Sequence, residues 1–121
     1  MLTLLEAIEK GDVEGVRRML IQGINFYEND YTALVYSAQL NKPEIVKLLL
    51  IAGSDPNARY GSALISASKQ NNLTIVRQLI LAGANVNILD GCPRRVAADQ
   101  GHTDMERILV QVSTITNTLF L

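Results

Sequence analysis

The sequence predicts an all-α solenoid, an α/α stack of four helix-turn-helix units, and three observations carry that prediction. Gly23, Gly53 and Gly83 recur at a fixed interval of 30 residues. Apolar and small positions recur with them: Leu4, Leu34 and Leu64; Ala7, Ser37, Ala67 and Ala97; Val16, Val46 and Val76; Met19, Leu49, Leu79 and Leu109. Inside each interval two short helical patterns are separated by Gly11, Asn41, Asn71 or Gly101. A fixed period in this range marks a stacked repeat, in which each unit contacts only its neighbours and the whole presents one extended surface. The units are 2–31, 32–61, 62–91 and 92–121, a single domain whose first and last units act as caps.

The second unit shows how the elements follow from the residues. Thr32–Leu40 reads as a short first helix, with small Ser37 and Ala38 allowing a neighbour to approach closely. Asn41 and its counterparts Gly11, Asn71 and Gly101 are residues that tolerate a left-handed backbone, so this position ends the first helix. The second helix starts at once. Pro43 suits a first turn, where its missing N–H is not needed. Glu14, Glu44 and Asp104 share that early turn and favour the positive end of the helix dipole. Ile45, Val46, Leu49 and Leu50 give the spacing of a helix buried on one face. Arg17, Lys47, Arg77 and Arg107 share one position on this helix and read as a solvated outer face. Gly53 stops the helix, and Ser54–Gly61 is an extended link in which Asn and Asp bond the local backbone.

These residues resemble the ankyrin repeat, and the resemblance spans the whole chain. The family's T-P-L-H-x-A opening appears as Thr32-Ala33-Leu34-Val35-Tyr36-Ser37-Ala38, as Ser62-Ala63-Leu64-Ile65-Ser66-Ala67-Ser68, and as Cys92-Pro93-Arg94-Arg95-Val96-Ala97-Ala98. The second-helix signature is fullest over 71–87, ending in Ala82-Gly83-Ala84-Asn85-Val86-Asn87. Three departures stand out. The period is 30 residues against the family's usual length of about 33, and the deficit falls in the hairpin links, so these are expected to be short. Val35 and Ile65 replace the family's His, so an apolar contact substitutes for its hydrogen bond. Arg94 stands where Leu34 and Leu64 stand. Inside a stack that would bury a charge, so unit 92–121 is expected at an end, where Arg94 faces water. Tyr36 is expected in the core.

The last segment departs too. Ser113 stands where the cap glycine belongs, so the second helix is expected to run on or fray there. The tail 113–121 is apolar, β-prone and uncharged. It is open to folding back over the last unit, to pairing with another copy, or to leading into further chain. Folding back is the preferred reading, because an exposed run of this kind invites aggregation.

Composition excludes several functions. Hydrophobic residues make up 48% and charged residues 19%, with 11 Lys and Arg against 12 Asp and Glu. This is a globular composition with no basic field for a phosphate backbone, so no nucleic-acid partner is expected. No apolar run approaches a membrane span, and the N-terminus lacks the basic start of a secretory signal, so no membrane association is expected and a cytoplasmic location is, the nucleus being equally compatible. Cys92 and His102 are single members of their types. No metal site, cofactor or catalytic group is expected from them, and His102 matches the family's structural second-helix His. Gly11–Gly15 lacks the Lys and Ser or Thr of a phosphate loop.

The resemblance implies a non-catalytic protein–protein interaction module that meets an unidentified protein through the concave face of its first helices and its link tips. By matching positions the first-helix contacts are Gln39, Leu40, Lys69, Gln70, Asp99 and Gln100, with Glu9 and Lys10 in the first unit. The tip contacts are Tyr27, Asp30, Tyr31, Arg59, Tyr60 and Asp90, beside Glu28, Asn29 and Leu89. Three of the chain's four tyrosines fall in this second set, and tyrosine is favoured at hot spots for its apolar area and polar tip. Packing over the shortened links is the competing reading for Tyr27 and Tyr60. A monomer is expected. The alternatives are a self-associating structural module, a homodimer through tail 114–121, or an intracellular inhibitor or effector of another protein.

Overall fold

The computed structural model describes residues 3–24 and 30–119, of which residues 30–32 and 117–119 are described by backbone alone. Among the described residues there are eight helices: α1 (Leu4–Lys10), α2 (Val13–Ile21), α3 (Asp30–Gln39), α4 (Pro43–Ile51), α5 (Ala58–Lys69), α6 (Leu73–Leu81), α7 (Ile88–Asp99) and α8 (Thr103–Leu119). They form four antiparallel pairs. The odd-numbered helices pack on one another in sequence as one layer, and α2, α4 and α6 pack as a second. Contact between units is denser in the odd-numbered layer.

The turn inside each pair is left-handed where the sequence places Gly or Asn: φ is +70° at Gly11, +55° at Asn41, +62° at Asn71 and +75° at Gly101. One residue in this conformation closes α1, α3, α5 and α7 and sends the chain back along them. Two side chains complete the first unit's caps. Thr3 Oγ1 accepts from the Glu6 amide at 3.1 Å, and Asp12 Oδ1 accepts from the Gly15 amide at 2.9 Å. Both satisfy amides that a helix start leaves without a partner inside the helix.

The core is one continuous cluster through all four pairs. Small residues on the odd helices (Ala7, Ala33, Ala38, Ala63, Ala67 and Ala97) are fully or almost fully buried, which is what close approach of these helices requires. Leu34, Leu64, Ile45, Ile75, Leu49 and Leu79 fill the space between the layers. Val35 is buried, and Tyr36 is half-buried against the cluster. Arg94, in register with Leu34 and Leu64, is exposed.

Two expectations are corrected. The two described links, 54–61 and 84–91, are not extended, and the first link lies largely outside the described residues. Arg59, Tyr60 and Gly61 all have left-handed dihedrals (φ +52°, +56° and +73°), and Leu89, Asp90 and Gly91 repeat the conformation (φ +50°, +56° and +79°). Amide bonds from Gly61 to the Asn57 carbonyl (3.1 Å) and from Gly91 to the Asn87 carbonyl (3.2 Å) close these turns. With about three residues fewer than the family's usual unit, the chain reverses through a left-handed coil in place of an extended finger. The tail does not fold back over Ser113–Leu119 either: α8 continues to Leu119. Ser113 is not a glycine and does not stop the helix. Its Oγ instead donates to Asn87 Oδ1 at 2.5 Å, and Thr114 Oγ1 donates to the Val110 carbonyl at 3.0 Å along the helix. Phe120 and Leu121 lie outside the described residues.

Two outcomes follow for stability. Leu64→Ala should lower the free energy of urea unfolding by about 2–5 kcal/mol as a buried core truncation. Arg94→Ala, at the same register position, should change it by less than about 0.5 kcal/mol. In the links, Tyr60→Gly relieves a left-handed non-glycine residue and should raise stability by about 1 kcal/mol. Gly61→Ala should lower it by about 1–2 kcal/mol, since the added carbon also meets Ile88 Cγ2 at 3.0 Å.

Candidate functional site

The surface positions expected from register form two columns at the ends of the odd helices. Glu9, Gln39, Lys69 and Asp99 make one, and Lys10, Leu40, Gln70 and Gln100 the other. All eight are exposed. Each pair immediately precedes the left-handed turn, so the turn that closes the helix also points these residues away from the core. Glu9 and Asp99 are balanced by Lys10 and Lys69, and no single-sign field forms. Leu40 is the apolar member, 36% exposed.

The tips stand at the opposite, starting ends of the odd helices, Arg59 and Tyr60 opening α5 and Leu89 and Asp90 opening α7. Tyr60 is 76% exposed, and Arg59, Asp90 and Leu89 are exposed with it. Packing over the link, the competing reading for Tyr60, is therefore not its role. Tyr27 lies outside the described residues. Asp30 and Tyr31 belong to the first turn of α3, and their side chains are likewise outside the description. Of the twelve expected contact residues, nine are thus placed with side chains, and all nine are exposed.

Hydrogen bonds hold the tips in register. Local bonds run as expected, from the Asn57 amide to Asp55 Oδ1 (2.8 Å) and from the Asn87 amide to Asn85 Oδ1 (2.9 Å). The asparagine side chains do something the sequence reading missed. Asn57 Nδ2 donates to the Gly83 carbonyl at 3.1 Å, and Asn57 Oδ1 accepts from the Asn85 amide at 2.7 Å. One carboxamide thus joins two successive links. Asn87 makes the corresponding contact to the last unit through Ser113. The signal was present in the sequence, since Asn57 and Asn87 are in register, but the partner 26 residues away is a property of the stack. Arg95 Nη2 adds a bond to the Leu89 carbonyl (2.8 Å), and Ser62 Oγ one to the Arg59 carbonyl (2.5 Å).

His102 is half-buried at the start of α8 and lies 2.9 Å from the Lys69 carbonyl through Nε2, tying the last unit to the end of α5. This is the structural role expected for it. Cys92 is half-buried in α7. Among the described residues no group of three or more His, Cys, Asp or Glu is placed to hold a metal ion, and no helix is long and apolar enough to cross a membrane.

Helix pairs stacked in register, with exposed columns carried on a continuous core, define the class: an α-helical repeat scaffold. Within that class the chain belongs to the ankyrin repeat family. The family model for ankyrin repeats in three copies matches residues 2–60, and the model for a single ankyrin repeat matches residues 62–91. No curated protein matches the chain. Ankyrin repeats are in general protein–protein interaction modules and are typically non-catalytic.

The inter-unit clamp is open to a direct check. Asn57→Ala removes both bonds and should lower stability by about 1–2 kcal/mol in urea unfolding. Asn57→Asp keeps the acceptor for the Asn85 amide and loses the donor to Gly83, so a smaller loss is expected. Equal stability of all three chains would show that the clamp contributes nothing.

Proposed function

We propose that this protein is a non-catalytic binding module that holds one partner protein against its odd-helix columns and link tips. The observation that carries the reading is the conformation of Tyr60. An aromatic side chain that is 76% exposed sits on a left-handed backbone, a state that costs about 1–2 kcal/mol for a residue with a Cβ. Strain of this kind persists where the surrounding structure imposes it, and it collects at functional sites. Leu89 repeats the arrangement one unit later. The denser packing of the odd helices supports their placement on the concave side of the stack. Units 2–31 and 92–121 serve as its caps. The module acts as a monomer in a reducing compartment such as the cytoplasm, where its single cysteine remains a thiol.

A second reading is favoured by α8. Val110 and Ile115 are 42% and 59% exposed on its surface, and a homodimer through this helix would cover them. Removal of residues 114–121 should leave partner capture intact under the first reading and abolish a dimer under the second.

Affinity capture with mass spectrometry tests the main reading. It compares the native chain with a Leu40→Ala, Tyr60→Ala, Lys69→Glu variant shown by circular dichroism to be folded. A protein held by the native chain and reduced at least tenfold by the variant is the expected result. Equal capture by both chains would remove the odd-helix face as the site.

A further inference from the structure

The second helices carry an exposed row that the odd-helix reading does not use. Ile21, Ile51 and Leu81 are the last residues of α2, α4 and α6, one repeat interval apart, and are 76%, 72% and 88% exposed. One turn earlier on the same helices stand Arg17, Lys47 and Arg77, also exposed. Residues four apart lie one above the other on a helix face. An apolar column therefore runs across three units with a basic column beside it. A single exposed Ile or Leu is ordinary on a protein surface. The same register position filled in three successive units makes a stripe, and stripes of this kind mark interaction sites.

The cations of the row are not equivalent. Arg17 pairs with Glu14 at 2.7 Å, and Arg107 pairs with Asp104. Among the described residues Lys47 and Arg77 have no ion-pair partner. Thr74 stands where the other units have an acid, which leaves Arg77 no carboxylate one turn back. The two central units thus present cations outside close ion pairs next to Ile51 and Leu81, with Glu44 the one acid a turn back on the same helices.

We propose that this face is a second docking surface whose occupant is an acidic amphipathic helix of a partner protein, lying across α2, α4 and α6. Neighbouring packed helices are about 8–10 Å apart, and a helix rises about 1.5 Å per residue. An occupant running along the stack therefore meets successive units about every sixth or seventh residue. Leucines at that spacing fall on Ile21, Ile51 and Leu81, and glutamates on the flank of the occupant that faces the basic column fall on Lys47 and Arg77. Charge disfavours the other occupants. A basic segment would face Lys47 and Arg77. An anionic lipid surface would cover the whole face and meet Glu14, Glu44 and Asp104 as well, whereas one helix seated on Ile21, Ile51 and Leu81 reaches only the cations beside it. A second copy offers from that row only Glu44 outside an ion pair.

Fluorescence anisotropy with two labelled synthetic helices of about 21 residues tests the proposal. Both carry leucine at every seventh position, and they differ only in having glutamate or lysine directly after each leucine, on one flank of the helix. The glutamate helix should bind at least tenfold more tightly than the lysine helix. Ile51→Ser with Leu81→Ser should weaken it at least tenfold, and Lys47→Glu with Arg77→Glu should reverse the preference between the two helices. Leu40→Ala with Tyr60→Ala, on the odd-helix side, should leave binding within twofold of native, which separates this surface from the one proposed above. All variants change exposed side chains, and circular dichroism confirms their fold. Equal binding of the two helices, or binding unmoved by changes at 47, 51, 77 and 81, would overturn the proposal. So would capture of phosphatidylserine vesicles in place of the glutamate helix, or a dimer in sedimentation velocity that Ile51→Ser with Leu81→Ser dissolves.

Discussion

Burial between neighbouring helix pairs is the constraint on which everything else here depends. A pair such as α3 and α4 has apolar residues on sides that face along the stack as well as toward each other. Leu34 and Leu64 reach near-zero exposure only because the next odd helix lies against them. That approach is possible because Ala33, Ala38, Ala63 and Ala67 present no bulk between the helices. Arg94 makes the dependence visible. It occupies the same register position and is exposed, since its flank has no following pair among the described residues to bury it. Stability in such an array is close to a sum of unit and nearest-neighbour terms, so the surface columns can vary with little effect on the fold.

The short links follow from the same constraint. To hold the odd helices in contact, a link must reverse the chain within a few residues, and in the two described links the solution is three successive left-handed residues. Two of the three are not glycine in either link. The conformational cost is offset by bonds that exist only when the next unit is in place, above all those of Asn57 to Gly83 and Asn85. Each of the two described tips is therefore held by its neighbour as well as by its own turn. A side chain displayed on a hydrogen-bonded turn loses less freedom on binding than one on a long finger. Shortening the unit thus exchanges reach for preorganisation.

Much of this was legible in the residues. Gly11, Asn41, Asn71 and Gly101 mark the left-handed turn by residue type alone, because few other residues accept that conformation. The buried Ala and Leu columns followed from register in the same way, as did the exposed pairs at 39–40, 69–70 and 99–100. What was not legible has a physical cause in each case. Arg59, Tyr60 and Leu89 have no intrinsic leaning toward a left-handed backbone, so their conformation comes from the closure of the stack. Asn57 was read as a local turn former, and its second role depends on a carbonyl 26 residues away. Residues 114–119 favour strand by composition, yet α8 extends through them. A helix already nucleated adds residues more readily than a new element starts.

The two surfaces described here break local rules in different ways. At the tips the rule broken is conformational: Tyr60 is held in a backbone state that disfavours it, by bonds that reach into the next unit. On the second helices the rule broken is solvation. Ile21, Ile51 and Leu81 sit on ordinary helical backbone, contribute no burial to the core, and expose apolar area to water. Removing them would leave every packing contact of the core in place. Local rules are obeyed almost everywhere else in this chain, and violations that give the fold nothing in return are expected where a sequence serves a partner. A tip fixed by its neighbour can transmit a disturbance along the stack, because the clamp spans two units. The stripe lies on helices that are also tied between units, Gln78 Nε2 donating to the Pro43 carbonyl at 2.9 Å, so an occupant there would bear on coupled units as well.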